Sequence, residues 1–262
     1  NSYTLNNGVQ LVAFHPLILG TFQNRMEKMN FIVDLVVTRH LTTFTHSVMV
    51  SYLAEAIGKH ILAARPELLR IPSSYLEGNV YASPAEVLDY IVPAALFHDI
   101  GKNGMIPIIN TQHRKLNDYE FNIIQTHPQK GSDYLSSDPD FLIYQPVALG
   151  HPRSYDGPRG YPLSFDNTAS PYRDAIDLIH ICDCLDAATD YLSRNYHRAK
   201  PFDVVLNELK AGRGTEYNPD MVDVILSDRE LYNDLKMLTE QNRENIYYDI
   251  YLTFVNLRKK RQ

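Results

Sequence analysis

Residues 83–102 read SPAEVLDYIVPAALFHDIGK, and this stretch decides how the rest of the chain is to be read. Ser83 suits a helix N-cap, Pro84 suits the first turn, and Glu86 three residues on completes a capping box. Val87, Ile91 and Ala95 recur at helical spacing, so a helix runs to His98, with a kink expected at Pro93. Where that helix ends, His98 and Asp99 can both reach a metal ion. Imidazole is a borderline ligand, and carboxylate is a hard one able to bridge two ions. Gly101 permits a turn that exposes backbone, and Lys102 offers a cation to a phosphate.

Outward from this stretch, helical signals dominate and strand signals are poor. Residues 1–29 read as an irregular lead-in and 30–262 as the main domain. Apolar residues at helical spacing (Leu41, Phe44, Val48, Tyr52, Ile57) predict a helix from about Asn30 to Leu62, interrupted near Thr42 and Thr43. A loop is expected from Arg65 to Tyr81, a short helix from Leu116 to His127, and an extended loop from His151 to Pro171. Further helices are expected from Ser170-Pro171 through Leu192, over Pro201–Leu209 and over Pro219–Leu226.

Four more polar residues stand out. Asp183 lies on an apolar stripe with Ile176 and Ile179, where a lone carboxylate would cost several kcal/mol unless neutralised. A metal, a lysine or an arginine would serve. His46 shares its face with Met49, Val50 and Leu53, as a satisfied core histidine or as a ligand. His127-Pro128 and His151-Pro152 bias each histidine toward an extended backbone, and so toward a helix end or loop facing a cleft.

Composition narrows the classes. Of 262 residues 44% are hydrophobic, enough for a sizeable core, and the net charge of −6 argues against passive DNA or RNA binding. The two cysteines, Cys182 and Cys184, are too few for a disulfide framework and read as small core residues of a reducing compartment. No run of eighteen apolar residues and no leader is present, so no membrane contact is expected. Asn1 in place of Met is expected of an excised or processed piece of a longer chain.

The order His46, His98-Asp99-Ile100-Gly101-Lys102, His127-Pro128-Gln129-Lys130-Gly131, Tyr155-Asp156-Gly157, Gly160-Tyr161-Pro162 and Asp183 with Asp186-Ala187 resembles the HD-GYP family of the HD superfamily of metal-dependent phosphohydrolases. The resemblance implies an all-α, HD-type helical bundle with a metal centre in its core. It implies a phosphodiesterase that opens a cyclic dinucleotide, cyclic di-GMP above all, with a metal-activated water. Two divalent ions, iron or manganese, are expected. His46, His98, Asp99 and Asp183 would hold one, and Asp99 would bridge to a second bound by His127 and His151. Lys102 would touch the scissile phosphate, Arg194 and Lys200 are candidates for another phosphate, and Tyr161 would shape the substrate loop. A cytoplasmic protein, regulated by an upstream sensor or receiver domain and able to form a homodimer, completes the expectation.

The chain departs from the family's pattern at four points. Pro152 stands where a second histidine is usual, and Arg153 where a glutamate is usual. Pro158 and Arg159 lengthen the loop before Gly160, and Thr42 stands where some members carry a third-metal glutamate. A three-metal site is therefore not expected. Arg153 and Arg159 are open to two readings, added phosphate contacts or solvated loop residues. The alternative function is a degenerate domain that binds nucleotide or protein without turnover, and another nucleotide substrate for the same chemistry is a third reading.

Overall fold

The capping box forms as expected: Ser83 accepts from the Glu86 N–H, and Glu86 accepts from the Ser83 N–H. In the computed structural model the described residues are 2–4, 10–12, 23–29, 31–32, 41–73, 80–105, 115–192 and 199–259. Among them the regular structure is helical, apart from two isolated bridges and a two-stranded antiparallel ribbon, Ser2–Thr4 against Gln10–Val12, where the sequence suggested an irregular lead-in.

The helices are α1 (Leu41–Ala64), α2 (Pro84–Phe97), α3 (Asp118–Ile124), α4 (His127–Ser136), α5 (Gln145–Gly150), α6 (Arg173–Thr189), α7 (Phe202–Ala211), α8 (Pro219–Ser227), α9 (Arg229–Lys236) and α10 (Arg243–Lys259). Helix α1 passes through Thr42 and Thr43 without the expected interruption; Thr45 ties its hydroxyl back to the Leu41 carbonyl, a bond that fits inside a helix. Helix α2 is continuous through Pro93. The helix expected over 116–127 is two helices: α3 ends before His127, which opens α4.

Helix α1 packs along α2 and α6, with α5 against α6 and the C-terminal helices against α1. Ile57, Ile91, Ile176 and Leu231, from four different helices, are fully buried. Each such side chain contributes roughly 1.5–3 kcal/mol by leaving water. Before α1, Lys28 binds Asp138 and Asp140, tying residues 23–29 to the segment after α4. Among the described residues no helix is long and apolar enough to cross a membrane.

The end of α2 is the structural pivot. His98 closes the helix, and a 3-10 turn, Ile100–Gly104, follows. A Cβ on Gly101 would lie 1.9 Å from the His127 carbonyl oxygen and 2.5 Å from the Gly131 nitrogen. Glycine is required there by close approach of α4, rather than to expose backbone to a ligand as the sequence suggested.

Candidate metal centre

Five segments deliver six polar side chains to one place: α1 gives His46, the α2 terminus gives His98 and Asp99, α4 gives His127, the residue after α5 is His151, and α6 gives Asp183. The four histidines and Asp99 are buried, and Asp183 is half-buried. Asp99 is the hub. Its Oδ1 lies 3.1 Å from His127 Nε2 and 3.8 Å from His151 Nε2, and its Oδ2 lies 3.6 Å from His46 Nε2 and 3.5 Å from His98 Nε2. Asp183 Oδ1 comes within 3.0 Å of His46 Nε2.

The local fold sets every ring the same way. His98, His127 and His151 direct Nδ1 at the carbonyl three residues back, at 2.6, 2.8 and 3.0 Å, and His46 directs Nδ1 at Asp186 Oδ2 at 2.6 Å. Carbonyls and carboxylates only accept, so each Nδ1 carries the proton, and the neutral rings of His98, His127 and His151 turn their Nε2 lone pairs inward. His127 and His151 thus face each other, Nε2 to Nε2, at 3.1 Å. A proton between them is disfavoured, because burial pushes His127 down to about 4 and His151 well below its usual value. Such an arrangement suits a cation.

The remaining electrostatics agree. Burial also lowers His98. Burial opposes the charge on Asp99, but Lys102 and the surrounding imidazoles hold it well below the carboxylate range. At His46 burial is outweighed by Asp183 and Asp186, which bring the imidazole up to about 9. His46 Nε2, His98 Nε2 and Asp99 Oδ1 are buried without a hydrogen-bond partner. An unsatisfied buried polar atom costs roughly 1–3 kcal/mol, so three at one point call for a ligand. Three ligand groups fit divalent ions: His46, His98 and Asp99; His98, His151 and Asp183; and Asp99, His127 and His151. Asp99 belongs to two of the three, so one carboxylate can serve two adjacent ions.

The cluster floors a cleft of about 280 Å³, whose walls include Thr42, Phe121, Ile124, Pro152 and Tyr161. Lys102 lines it too and donates to Asp99 Oδ2. The Tyr161 ring packs edge-on to His127, with centroids 5.8 Å apart. Burial raises the Tyr161 hydroxyl, so it stays protonated. Lys200 does not line the cleft; Glu208 holds its ammonium on α7 at 2.7 Å, outside the site. Arg194 lies outside the described residues.

Neither loop arginine is a free phosphate ligand. Arg153 is buried and donates to the Gly157 and Gly160 carbonyls, pinning the loop that carries Tyr161. Gly160 adopts φ +82°, and a Cβ there would sit 1.9 Å from the Pro152 carbonyl oxygen. Arg159 is exposed and paired with Asp156 and Glu216. Cys182 is buried as expected, whereas Cys184 is half-buried, its Sγ 4.0 Å from His180 Nε2. Asp186 was legible as part of a motif, and its position three residues after Asp183 puts both on one helix face. The buried Arg243, which donates to Asp186, carried no signal in the sequence.

The HD domain family model matches residues 43–195. Two of the chain's curated relatives illustrate the likeness. One is the cyclic di-GMP phosphodiesterase response regulator RpfG of Xanthomonas campestris pv. campestris, 32% identical over 146 residues, covering 55% of this chain and 37% of that protein. The other is a cyclic di-GMP phosphodiesterase of Vibrio cholerae serotype O1, 25% identical over 210 residues, covering 76% of this chain and 41% of that protein. The chain thus spans about two fifths of the length of these relatives. Among solved structures, the HD domain of the L. monocytogenes phosphodiesterase PgpH in complex with cyclic-di-AMP aligns with a TM-score of 0.47 and 18% identity, over 80% of this chain and 95% of that one. The matched region holds His46, His98-Asp99, His127, His151 and Asp183, and the chain belongs to the HD domain family, its relatives being in keeping with the HD-GYP branch.

Proposed function

We propose that this chain is a metal-dependent phosphodiesterase that hydrolyses a cyclic dinucleotide, with cyclic di-GMP as its first substrate. The observation that carries the reading is the pair of inward-facing Nε2 lone pairs of His127 and His151 beside Asp99, an arrangement suited to cations and placed at the floor of an open cleft. The names of the relatives support the substrate class.

His46, His98, Asp99 and Asp183 would hold one ion, and Asp99, His127 and His151 a second, iron or manganese. Bound divalent ions supply Lewis acidity for a phosphoryl oxygen and lower the pKa of a coordinated water. The chain's own residues do the rest. The fixed Nδ1–H bonds orient the imidazoles before substrate arrives, so little reorganisation is needed. Lys102 sets a positive charge at the cleft floor, where a phosphodiester enters, and can leave Asp99 for a phosphate oxygen once a cation shares that carboxylate. Tyr161 and Phe121, whose rings meet edge-on at 6.4 Å, form an aromatic wall suited to a nucleobase. The response-regulator name of the Xanthomonas relative supports control of this domain by an upstream receiver domain.

A second reading has one specific support. Pro152 lines the cleft where the family resemblance expects a second histidine, and proline cannot ligate. A chain that binds the dinucleotide without cutting it would follow. The readings separate in one assay: chromatography of cyclic di-GMP, 3′3′-cyclic GMP-AMP and cyclic di-AMP after incubation with manganese- or iron-loaded protein. Linear dinucleotide or mononucleotide product, absent with Asp99→Ala, supports hydrolysis. Binding with no product from any of the three refutes it.

A further inference from the structure

Among the described residues Arg243 is the bulkiest side chain with no exposed surface, and it stands at the start of α10, well beyond the matched region 43–195. A guanidinium taken out of water is unfavourable unless every donor finds a partner. Here Nη1 donates to Asp186 Oδ1 at 2.7 Å, Nη2 to Thr189 Oγ1 at 2.9 Å, and Nε to the Thr239 carbonyl at 3.1 Å. The second oxygen of the same carboxylate, Asp186 Oδ2, receives His46 Nδ1–H at 2.6 Å. One carboxylate therefore joins α10 to a ligand of the candidate metal centre. The same helix packs Ile246, Tyr247 and Ile250 around Met49, less than one turn from His46 on α1.

We propose that Arg243 is a positioning residue of the metal centre: by fixing both the place and the rotation of the Asp186 carboxylate, it holds the His46 imidazole with Nε2 aimed at Asp99 and Asp183. Rotation of that carboxylate about its Cβ–Cγ bond would give the imidazole bound to Oδ2 freedom to turn with it. The fork of Arg243, anchored also to Thr189 and Thr239, removes that freedom. The C-terminal helix thereby becomes part of the metal-binding apparatus rather than an appendage. This rests on reading the cluster as a metal centre, and it is independent of the substrate.

The test is Mn²⁺ titration of the whole chain, with free ion followed by electron paramagnetic resonance and folding by circular dichroism. Arg243→Met is expected to weaken the Mn²⁺ site that His46 serves about 10–100-fold, and Arg243→Lys to recover part of the loss. Asp186→Asn combined with Arg243→Met should bind Mn²⁺ as Asp186→Asn alone does, since the arginine acts through that carboxylate. Should Arg243→Met fail to fold, this double variant, which removes the Asp186 charge together with the guanidinium, carries the comparison. Wild-type affinity in folded Arg243→Met overturns the proposal. So does Arg243→Lys no better than Arg243→Met, or a further tenfold loss in the double variant relative to Asp186→Asn. Wild-type protein that binds no Mn²⁺ overturns the metal-centre reading itself, whereas Mn²⁺ binding without hydrolysis leaves the role of Arg243 standing.

Discussion

Replacing Gly101 with alanine should damage the second half of the metal centre while sparing the first. The added Cβ would lie 1.9 Å from the His127 carbonyl oxygen and 2.5 Å from the Gly131 nitrogen. Both are backbone atoms of α4, so no side chain can swing aside. An ordinary contact needs about 3.4 Å or more, and relief therefore requires α4 to retreat from the Ile100–Gly104 turn by an ångström or more. Overpacking of this kind costs about 1–3 kcal/mol, which in a chain of this size lowers the midpoint of thermal unfolding by roughly 2–12 °C. The functional cost is larger, because His127 rides on the displaced turn and moves away from Asp99 and His151, while His46, His98 and Asp183 stay in place. Thermal unfolding by circular dichroism, paired with Mn²⁺ titration, reads both effects. The expected result is a lower midpoint, one retained ion and at least tenfold weaker binding of the other. Unchanged stability with both ions bound as in wild type would refute the close-packing argument.

Two further predictions concern protons. His46, held near 9 by Asp183 and Asp186, must release a proton as Nε2 takes a cation, so Mn²⁺ affinity should fall about tenfold per pH unit below about 9; affinity flat between about pH 6 and 8 would contradict it. Asp177, pushed up to about 7 chiefly by burial, keeps its proton in the fold at a pH where the unfolded chain has lost it. The fold therefore loses stability as pH rises from about 4 through 7, and Asp177→Asn should be more stable than wild type near pH 8, by on the order of a few kcal/mol, with little difference near pH 4; equal unfolding midpoints at pH 8 would count against it.

How much of this was legible depended on whether a residue's partner was near in sequence. The Ser83 cap needs only Glu86, and the ending of α2 at His98-Asp99 needs only its own apolar spacing, so both were readable. Asp183 on an apolar stripe announced that something had to neutralise it, and His46 Nε2 lies 3.0 Å from its carboxylate. The partner of Asp186 was hidden, because Arg243 lies 57 residues away and nothing local marks it for burial. Arg153 was misread for a similar reason: a loop rich in Pro and Gly suggests solvent, yet its guanidinium is taken up by the carbonyls of Gly157 and Gly160. Lys200, a candidate phosphate contact by resemblance, has Glu208 as its partner eight residues on. Helix boundaries at Thr42 and His127 failed where β-branched residues and a His-Pro pair are compatible with either state.

Elemental analysis of the purified, manganese- or iron-loaded protein tests the central claim most directly. Two ions per chain are expected, falling to one or none in Asp99→Ala because that carboxylate serves both positions. A wild-type chain that retains no metal after loading would contradict the account.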